Sequence, residues 1–437
     1  MDNEIVKPSI LPGFLELLPA EQILFNDMMA TIRKNYEKFG FIPQETPLIE
    51  KSEVLLAKGG GETEKQIYRF SKGDTDMSLR FDLTVPLARY VAQHMSDINF
   101  PYRRYQIGKV YRGERNQRGR FREFYQCDID IIGNGKLSII NDAEIPAVIY
   151  STFKDLGFDS FTININNRKI LNGFFNSLHI EDKAEVLRAV DKIDKIGIEG
   201  VRRELKELML NDDQIEKIQE FISLEDNTDM IIKKLKALPV DNEDFKEGLE
   251  ELEKVVYYIR EFKVPETNFK INLKIARGLD YYTGTVYETI LNEYPSIGSV
   301  CSGGRYDNLA DYYTKQKLPG VGISIGLSRL FYQLTDAKII KTGASTLTKV
   351  LLVPMDEDIA YAINVSNKLK EQGIVTEVYF EEGKVAKKLN YANKLGIPYV
   401  IIIGSEERET GSLTLKDMHL GEQAKLSVEE IIKRIKS

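Results

Sequence analysis

Residues Arg277 to Thr283 read Arg-Gly-Leu-Asp-Tyr-Tyr-Thr, which puts a guanidinium, a carboxylate and two phenols within seven positions. Few structural needs explain that combination, although Arg277 could pair with Asp280 at a surface and the tyrosines could be ordinary core. Its meaning depends on the rest of the chain. Between Arg103 and Arg122 stand seven arginines (103, 104, 112, 115, 118, 120 and 122) and one lysine, Lys109, although lysine outnumbers arginine overall. A guanidinium grips phosphate and carboxylate oxygens in pairs where lysine is a point charge, so this choice points to oxyanion recognition; a solvated basic loop is the plainer alternative.

Two further segments carry the same chemistry. In Phe121 to Ile132 an alternating pattern puts Tyr125, Cys127, Ile129 and Ile131 on one face and Gln126, Asp128 and Asp130 on the other. A line of polar groups over one sheet face is either exposed or lines a pocket for a cationic or imidazole-like ligand. Leu79 to Pro86 places Asp82 and Thr84 beside an apolar run expected to be a strand. Gly320 to Arg329 leads a glycine-rich strand into a helix with Arg329 in its first turn, an arrangement that suits a phosphate. Neither segment fits the P-loop or the dinucleotide fingerprint.

The elements that must position these residues follow from periodicity. Helical spacing of Ile23, Leu24, Met28, Ile32 and Tyr36 ends at Gly40, and strand-like runs dominate from there to about residue 165. Ile271 to Ala276 and Thr285 to Ile290 both alternate as half-buried strands, so the Arg277 cluster is expected where two strands meet. From about Leu171 to Phe262 the chain turns to Glu, Lys, Asp and Leu at helical spacing, as an inserted helical domain. A polar stretch, Lys341 to Thr348, reads as a linker. Beyond it Val350 to Gly404 reads βαβαβ, which calls for a mostly parallel sheet in a separate domain.

Composition bounds the rest. A chain of 437 residues exceeds what one core usually holds, and 42% apolar with 29% charged residues is the content of a soluble globular protein. No membrane-length apolar run occurs, and Met-Asp-Asn-Glu is no secretion signal, so a cytoplasmic location is expected. Two cysteines and three dispersed histidines offer no disulfide framework, zinc cluster or Ser-His relay. The net charge of −7 argues against nucleic acid in general, with the arginine-rich hairpin as the local exception.

Taken together, these segments resemble the class II aminoacyl-tRNA synthetases. Tyr111-Arg112-Gly113-Glu114-Arg115, the helix and strand ending at Pro47, and Gly326-Leu-Ser-Arg329 are similar to the three motifs of that class. The Arg277 to Tyr282 signature and Phe124 to Asp130 resemble the histidyl-tRNA synthetase family in particular, from about Pro12 to the end of the chain. The resemblance implies an α+β fold: an antiparallel sheet flanked by helices, with a helical insertion and a C-terminal α/β anticodon-binding domain. The implied division is 1–170 and 263–338 as catalytic domain, 171–262 as insertion, 339–348 as linker and 349–437 as anticodon-binding domain.

The residue roles below are what the resemblance implies. ATP binds bent, with Arg112 and Arg277 on its α-phosphate as the catalytic cations and Arg115 and Arg329 around its distal phosphates. Glu114 contacts adenine or metal, and Mg2+ enters with ATP without a dedicated protein site. The histidine pocket is formed by Asp82 and Thr84 at the α-amino group, Gln126 nearby, Asp130 and Tyr282 at the imidazole, Tyr281 as a further histidine-binding residue, and Gly303, Gly304 and Arg305 along the wall. Asp82-Leu-Thr84 departs from the Glu-Gly-Thr of some members but keeps the acid. The histidine carboxylate attacks the α-phosphate to give histidyl-adenylate and pyrophosphate, and the 3′-hydroxyl of tRNA(His) then attacks the adenylate. Hydrogen bonds from Asp130 and Tyr282 to both ring nitrogens supply selectivity without an editing domain. A homodimer joined through the Pro47 segment is implied. Two alternatives stand beside this reading. One is an inactive regulatory subunit of histidine biosynthesis, from which loss of the arginines and the C-terminal domain is expected. The other is a synthetase for proline, threonine or glycine, against which Asp130 and Tyr282 argue.

Overall fold

The computed structural model describes residues 6–57, 62–115, 119–275, 281–355 and 358–436. Two compact units divide the chain: residues 1–15 with 28–337, and residues 16–27 with 338–437.

The first unit is built on an eight-stranded sheet. Its strands in chain order are β1 (Ile42–Pro43), β2 (Tyr102–Tyr111), β3 (Glu123–Ile132), β4 (Phe161–Asn167), β5 (Phe269–Ile271), β6 (Thr285–Leu291), β7 (Ser299–Tyr306) and β8 (Gly320–Ile325). In space they run β1-β2-β3-β8-β7-β6-β4-β5, antiparallel except for the pairs β1–β2 and β4–β5. Four helices matter for the site: α1 (Pro19–Lys38), α2 (Thr84–Gln93), α3 (Ile140–Asp155) and α4 (Leu327–Asp336). One face of the sheet is closed by apolar packing. Ile32 and Tyr36 of α1 are fully buried, and the Tyr36 hydroxyl donates to the Cys127 carbonyl at 2.9 Å, tying the helix to β3. The other face carries the polar line.

Six helices span Arg168–Glu261, from Arg168–Ser177 to Glu243–Glu261. Asn167, Asn211, Asn227 and Asn242 each cap a helix by accepting a backbone N–H, which is why this stretch reads so clearly as helical. The second unit carries β9 (Val350–Pro354), β10 (Thr376–Val378), β11 (Tyr399–Ile403), β12 (Leu413–Asp417) and β13 (Gln423–Leu426), in the order β10-β9-β11-β12-β13. Among the described residues no helix is long and apolar enough to cross a membrane.

The structure departs from expectation in three places. Of the run expected from Ile271 to Ala276, residues 271–275 are not one strand, and Ala276 lies outside the described residues: β5 ends at Ile271 because the Asn272 side chain accepts the Lys274 N–H and Ile275 N–H returns to the Asn272 carbonyl, so a turn interrupts the alternation. The stretch to residue 165 is not all strand, since α2 and α3 lie in it; Asp82, just before the Leu83 N-cap of α2, accepts the first-turn Val85 N–H on its Oδ1 at 3.0 Å, so Asp82 and Thr84 lie at a helix start and do not flank a strand. The C-terminal sheet is parallel only across β10-β9-β11; β12 and β13 extend it as an antiparallel hairpin.

Candidate active site

A cavity of about 450 Å3 opens over the polar face of the large sheet. Cross-strand register lays two rows of residues on that face, of which Asp128, Asp130, Glu288, Ser302, Gly322 and Ser324 line the cavity. The first runs Gln106, Asp128, Ser324, Ser302 and Glu288 from β2 to β6, and the second runs Arg104, Asp130, Gly322, Gly304 and Val286. Partners in register project to the same side, so five strands from distant parts of the chain converge on one space. The glycines of the second row make room. A Cβ on Gly322 would stand 2.4 Å from Asp130 Oδ1, and one on Gly304 would stand 3.0 Å from the Tyr282 ring.

At one end of the cavity is Arg112. Its guanidinium carbon lies 4.4 Å from the Phe81 ring centroid and 5.1 Å from that of Phe124, and its Nε donates to the Phe81 carbonyl at 3.2 Å. Two aromatic faces hold the plane of the fork in place. Burial pulls its pKa down, opposed by Asp82 and Glu114, and a guanidinium starts so high that it stays charged. Glu114 lies 3.4 Å from Arg120. Arg329 lines the same region from the first turn of α4, its Nη2 donating to Ile297 O at 3.1 Å.

The other end holds carboxylates. Asp130 is buried, with Arg104 Nη2 2.9 Å from its Oδ2 and the Tyr306 hydroxyl donating to its Oδ1 at 2.6 Å. Burial pushes its carboxyl up to about 6 against the pull of Arg104. Asp128, also buried, is pushed up to about 7 by burial, with Arg104 opposing and Asp130 adding to the rise. Asp82 is raised by burial and held back by the Val85 N–H and Arg112. Gln126 Nε2 donates to Ser324 Oγ at 2.8 Å, while Gln126 Oε1 and Asp128 Oδ1 are buried without a donor among the described residues. Unpaired buried acceptors cost about 1–3 kcal/mol each, so this end awaits a molecule that brings N–H donors. Tyr281 and Tyr282 close over it with rings edge to face at 5.0 Å, both phenols raised by burial and hence neutral.

Of the residues expected from sequence, Asp82, Thr84, Arg112, Glu114, Gln126, Asp130, Tyr281, Tyr282, Gly303 and Arg329 all line this one cavity. Arg277 and Asp280 lie outside the described residues. Gly304 is not part of the lining; its contribution is the space it leaves for Tyr282. Arg115 is exposed on the hairpin loop and does not line the cavity. Arg305 points away, its guanidinium bound by the buried Asp142 of α3 at 2.6 Å. The expectation that the arginine cluster serves oxyanions also narrows. Arg103 is bidentate to Glu144, Arg104 is fully buried beside Asp130, and Arg122 donates to the Glu114 and Pro12 carbonyls, so these three hold the fold together. Sequence reasoning left Asp128, Ser302, Ser324 and Tyr306 unassigned. For Asp128 the signal was present, since it shares a face with Gln126 and Asp130; for the others only the sheet register supplies it.

Comparison with known proteins agrees along the whole chain. Residues 13–330 match the family model for histidyl-tRNA synthetase, and residues 349–437 match that for an anticodon binding domain. The chain is 66% identical to the histidine–tRNA ligase of Clostridium tetani over all of both chains. A crystal structure of histidyl-tRNA synthetase from Nostoc superposes with a TM-score of 0.91 at 41% identity, covering 99% of each chain. An ATP phosphoribosyltransferase regulatory subunit/histidyl-tRNA synthetase from Bacillus halodurans reaches 0.77 at 22% identity over 91% of this chain and 99% of its own, a likeness of fold alone.

Proposed function

The chain belongs to the histidyl-tRNA synthetase family, and from that premise we propose how its cavity divides the work of a histidine–tRNA ligase. The enzyme activates L-histidine with ATP to histidyl-adenylate and transfers it to the 3′ end of tRNA(His). The observation that carries the residue assignment is the pairing, in one cavity, of a guanidinium held between two rings with buried acceptors lacking donors.

Histidine lies over the second row. Asp82 and Thr84 take its α-amino group, Gln126 stands alongside, and Asp130 with Tyr281 and Tyr282 take the imidazole, with Gly303 as wall and Gly304 as clearance. This directs the carboxylate at Arg112, where the α-phosphate of ATP lies. Arg112, joined by Arg277, draws off the equatorial charge as the carboxylate oxygen attacks and pyrophosphate leaves. Arg329 holds the distal phosphates, with Arg115 approaching from the loop. Glu114 is the carboxylate on that side, and one or two protein carboxylates suffice for Mg2+ when phosphates complete its shell. Bound with ATP, Mg2+ would neutralise phosphate charge.

The reading extends to the whole chain: catalytic halves 1–170 and 263–338 around the insertion 171–262, a linker at 339–348, and 349–437 as the anticodon-binding domain, in a cytoplasmic homodimer. The exposed Ile42, Leu48 and Ile49 around the Pro47 segment support self-association. The reading is tested by exchange of labelled pyrophosphate into ATP with histidine, proline, threonine or glycine. Exchange with histidine alone is expected, and exchange with another of the four, or none with histidine, sinks it.

A further inference from the structure

Asp128 and Asp130 are the same residue type on the same face of β3, yet their surroundings differ. Asp130 already has a guanidinium at 2.9 Å and a phenol donating at 2.6 Å. Asp128 is only 2% exposed, has no cation within ion-pair distance among the described residues, and keeps Oδ1 without a donor. Its polar neighbours along the row are Gln106 and Ser324, and the Ser324 side chain hydrogen-bonds its carboxyl without supplying a countercharge. A buried carboxylate with no cation in contact is costly unless it keeps a proton or receives a cation. Two residues along a strand span about 7 Å, so Asp128 and Asp130 flank a space that suits a flat ring between them. An imidazolium has two N–H donors pointing to opposite sides, and no other common side chain presents that pair in a ring.

We propose that Asp128 is a further specificity-determining residue of the histidine site, supplying the acceptor at the second imidazole N–H, beside the Tyr282 phenol, so that histidine is bound with its ring doubly protonated. The inference rests on the reading above and deepens it. Binding is then coupled to a proton. The charged groups that face Asp128 are Arg104 on β2, Arg80 before α2, Arg112 after β2, and the carboxyls of Asp130 and Asp82. The three guanidiniums do not titrate near neutrality. Burial keeps Tyr36, Tyr282, Cys127 and Cys301 neutral through the same range. The empty-site carboxyl of Asp128 is pushed up to about 7 and that of Asp130 to about 6, so at pH 8 both are largely ionised. Free histidine is largely neutral in its ring at that pH, since an imidazole titrates near about 6.5. Its binding must therefore take up a proton.

The test is calorimetric titration of the full chain with histidine from pH 6 to 8.5, in pairs of buffers with different ionisation enthalpies. The wild type is expected to take up nearly one proton at pH 8, to lose that uptake near pH 7, to release protons at pH 6 where Asp128 and part of Asp130 must ionise, and to weaken about tenfold per pH unit between 7.5 and 8.5. Asp128→Asn is expected to bind histidine more weakly at pH 7 and to show neither the uptake nor the slope. A wild type that takes up no proton overturns the proposal without any variant, as does Asp128→Asn that folds and takes up the same proton. Pyrophosphate exchange is measured on the same sample. Exchange with histidine but no proton uptake removes the role of Asp128 alone, whereas no exchange with histidine removes the underlying reading.

Discussion

The two larger sheets, C-terminal and catalytic, solve opposite problems. Strand β9 of the C-terminal sheet, Val350–Pro354, is buried at every residue and apolar throughout, as befits a strand with parallel neighbours on both sides and covered on both faces. The middle strands of the catalytic sheet are buried over most of their length, yet they bring Arg104, Gln106, Asp128 and Asp130 into the interior. The first sheet is complete as folded. The second keeps unpaired acceptors that only a ligand completes, at a cost in stability. The comparison teaches that burial alone does not mark a core: where buried acceptors without partners gather under a cavity, as Gln126 and Asp128 do, a ligand can release binding energy.

The largest effect should come from cutting the ion pair under the cavity. Arg104→Leu leaves Asp130 buried without its guanidinium and should destabilise the catalytic unit by about 3–5 kcal/mol in urea unfolding. Leu352→Ala in the C-terminal sheet should cost about 2–5 kcal/mol in that unit's own transition while leaving pyrophosphate exchange at wild-type rate. If Leu352→Ala also abolishes exchange, the two sheets are not the separable structures drawn here. Next, Arg112→Ala should lower the exchange rate by about 10²–10³ with little change in melting temperature, because its partners are a carbonyl and two rings and its work is on developing charge; a loss confined to stability would make it a packing residue. The smallest effect is on pH. Asp128 and Asp130 have folded pKa values raised to about 7 and about 6, so the folded form holds their protons more tightly than the unfolded chain does. Their contribution to stability is present at low pH and lost as pH rises through those values. Without ligand, the catalytic unit should melt a few degrees lower at pH 8 than at pH 5.5, and Asp128→Asn should flatten that slope in differential scanning calorimetry.

Much of the site was legible because it is local. The alternation of Gln126, Asp128 and Asp130, the glycine-rich approach to Arg329 and the Arg112 to Arg115 run are each contained in a dozen residues, where period and residue type speak directly. What escaped was nonlocal or hidden by look-alike patterns. Residues 271–276 alternate like a strand, but Asn272 bends its own backbone first. Arg305 sits in a stretch that faces the pocket in pattern, yet Asp142, 163 residues earlier, claims its guanidinium. Thr84 follows an apolar run that resembles a strand, and its helix appears only once Asp82 accepts the Val85 N–H.

The sequence by itself determined which chemistry was available and on which face of each segment it lay, because side-chain alternation and helical spacing are properties of neighbouring residues. Which carboxylate is neutralised was decided only by tertiary structure. Asp130 meets Arg104 because β2 and β3 pair in register, and Tyr306 because β8 brings β7 alongside and its phenol reaches over from the adjacent row, across separations of 26 and 176 residues; Asp128, two positions away, contacts neither. Cross-strand register is fixed by the packing of the whole sheet, and no local pattern in β3 distinguishes its two aspartates.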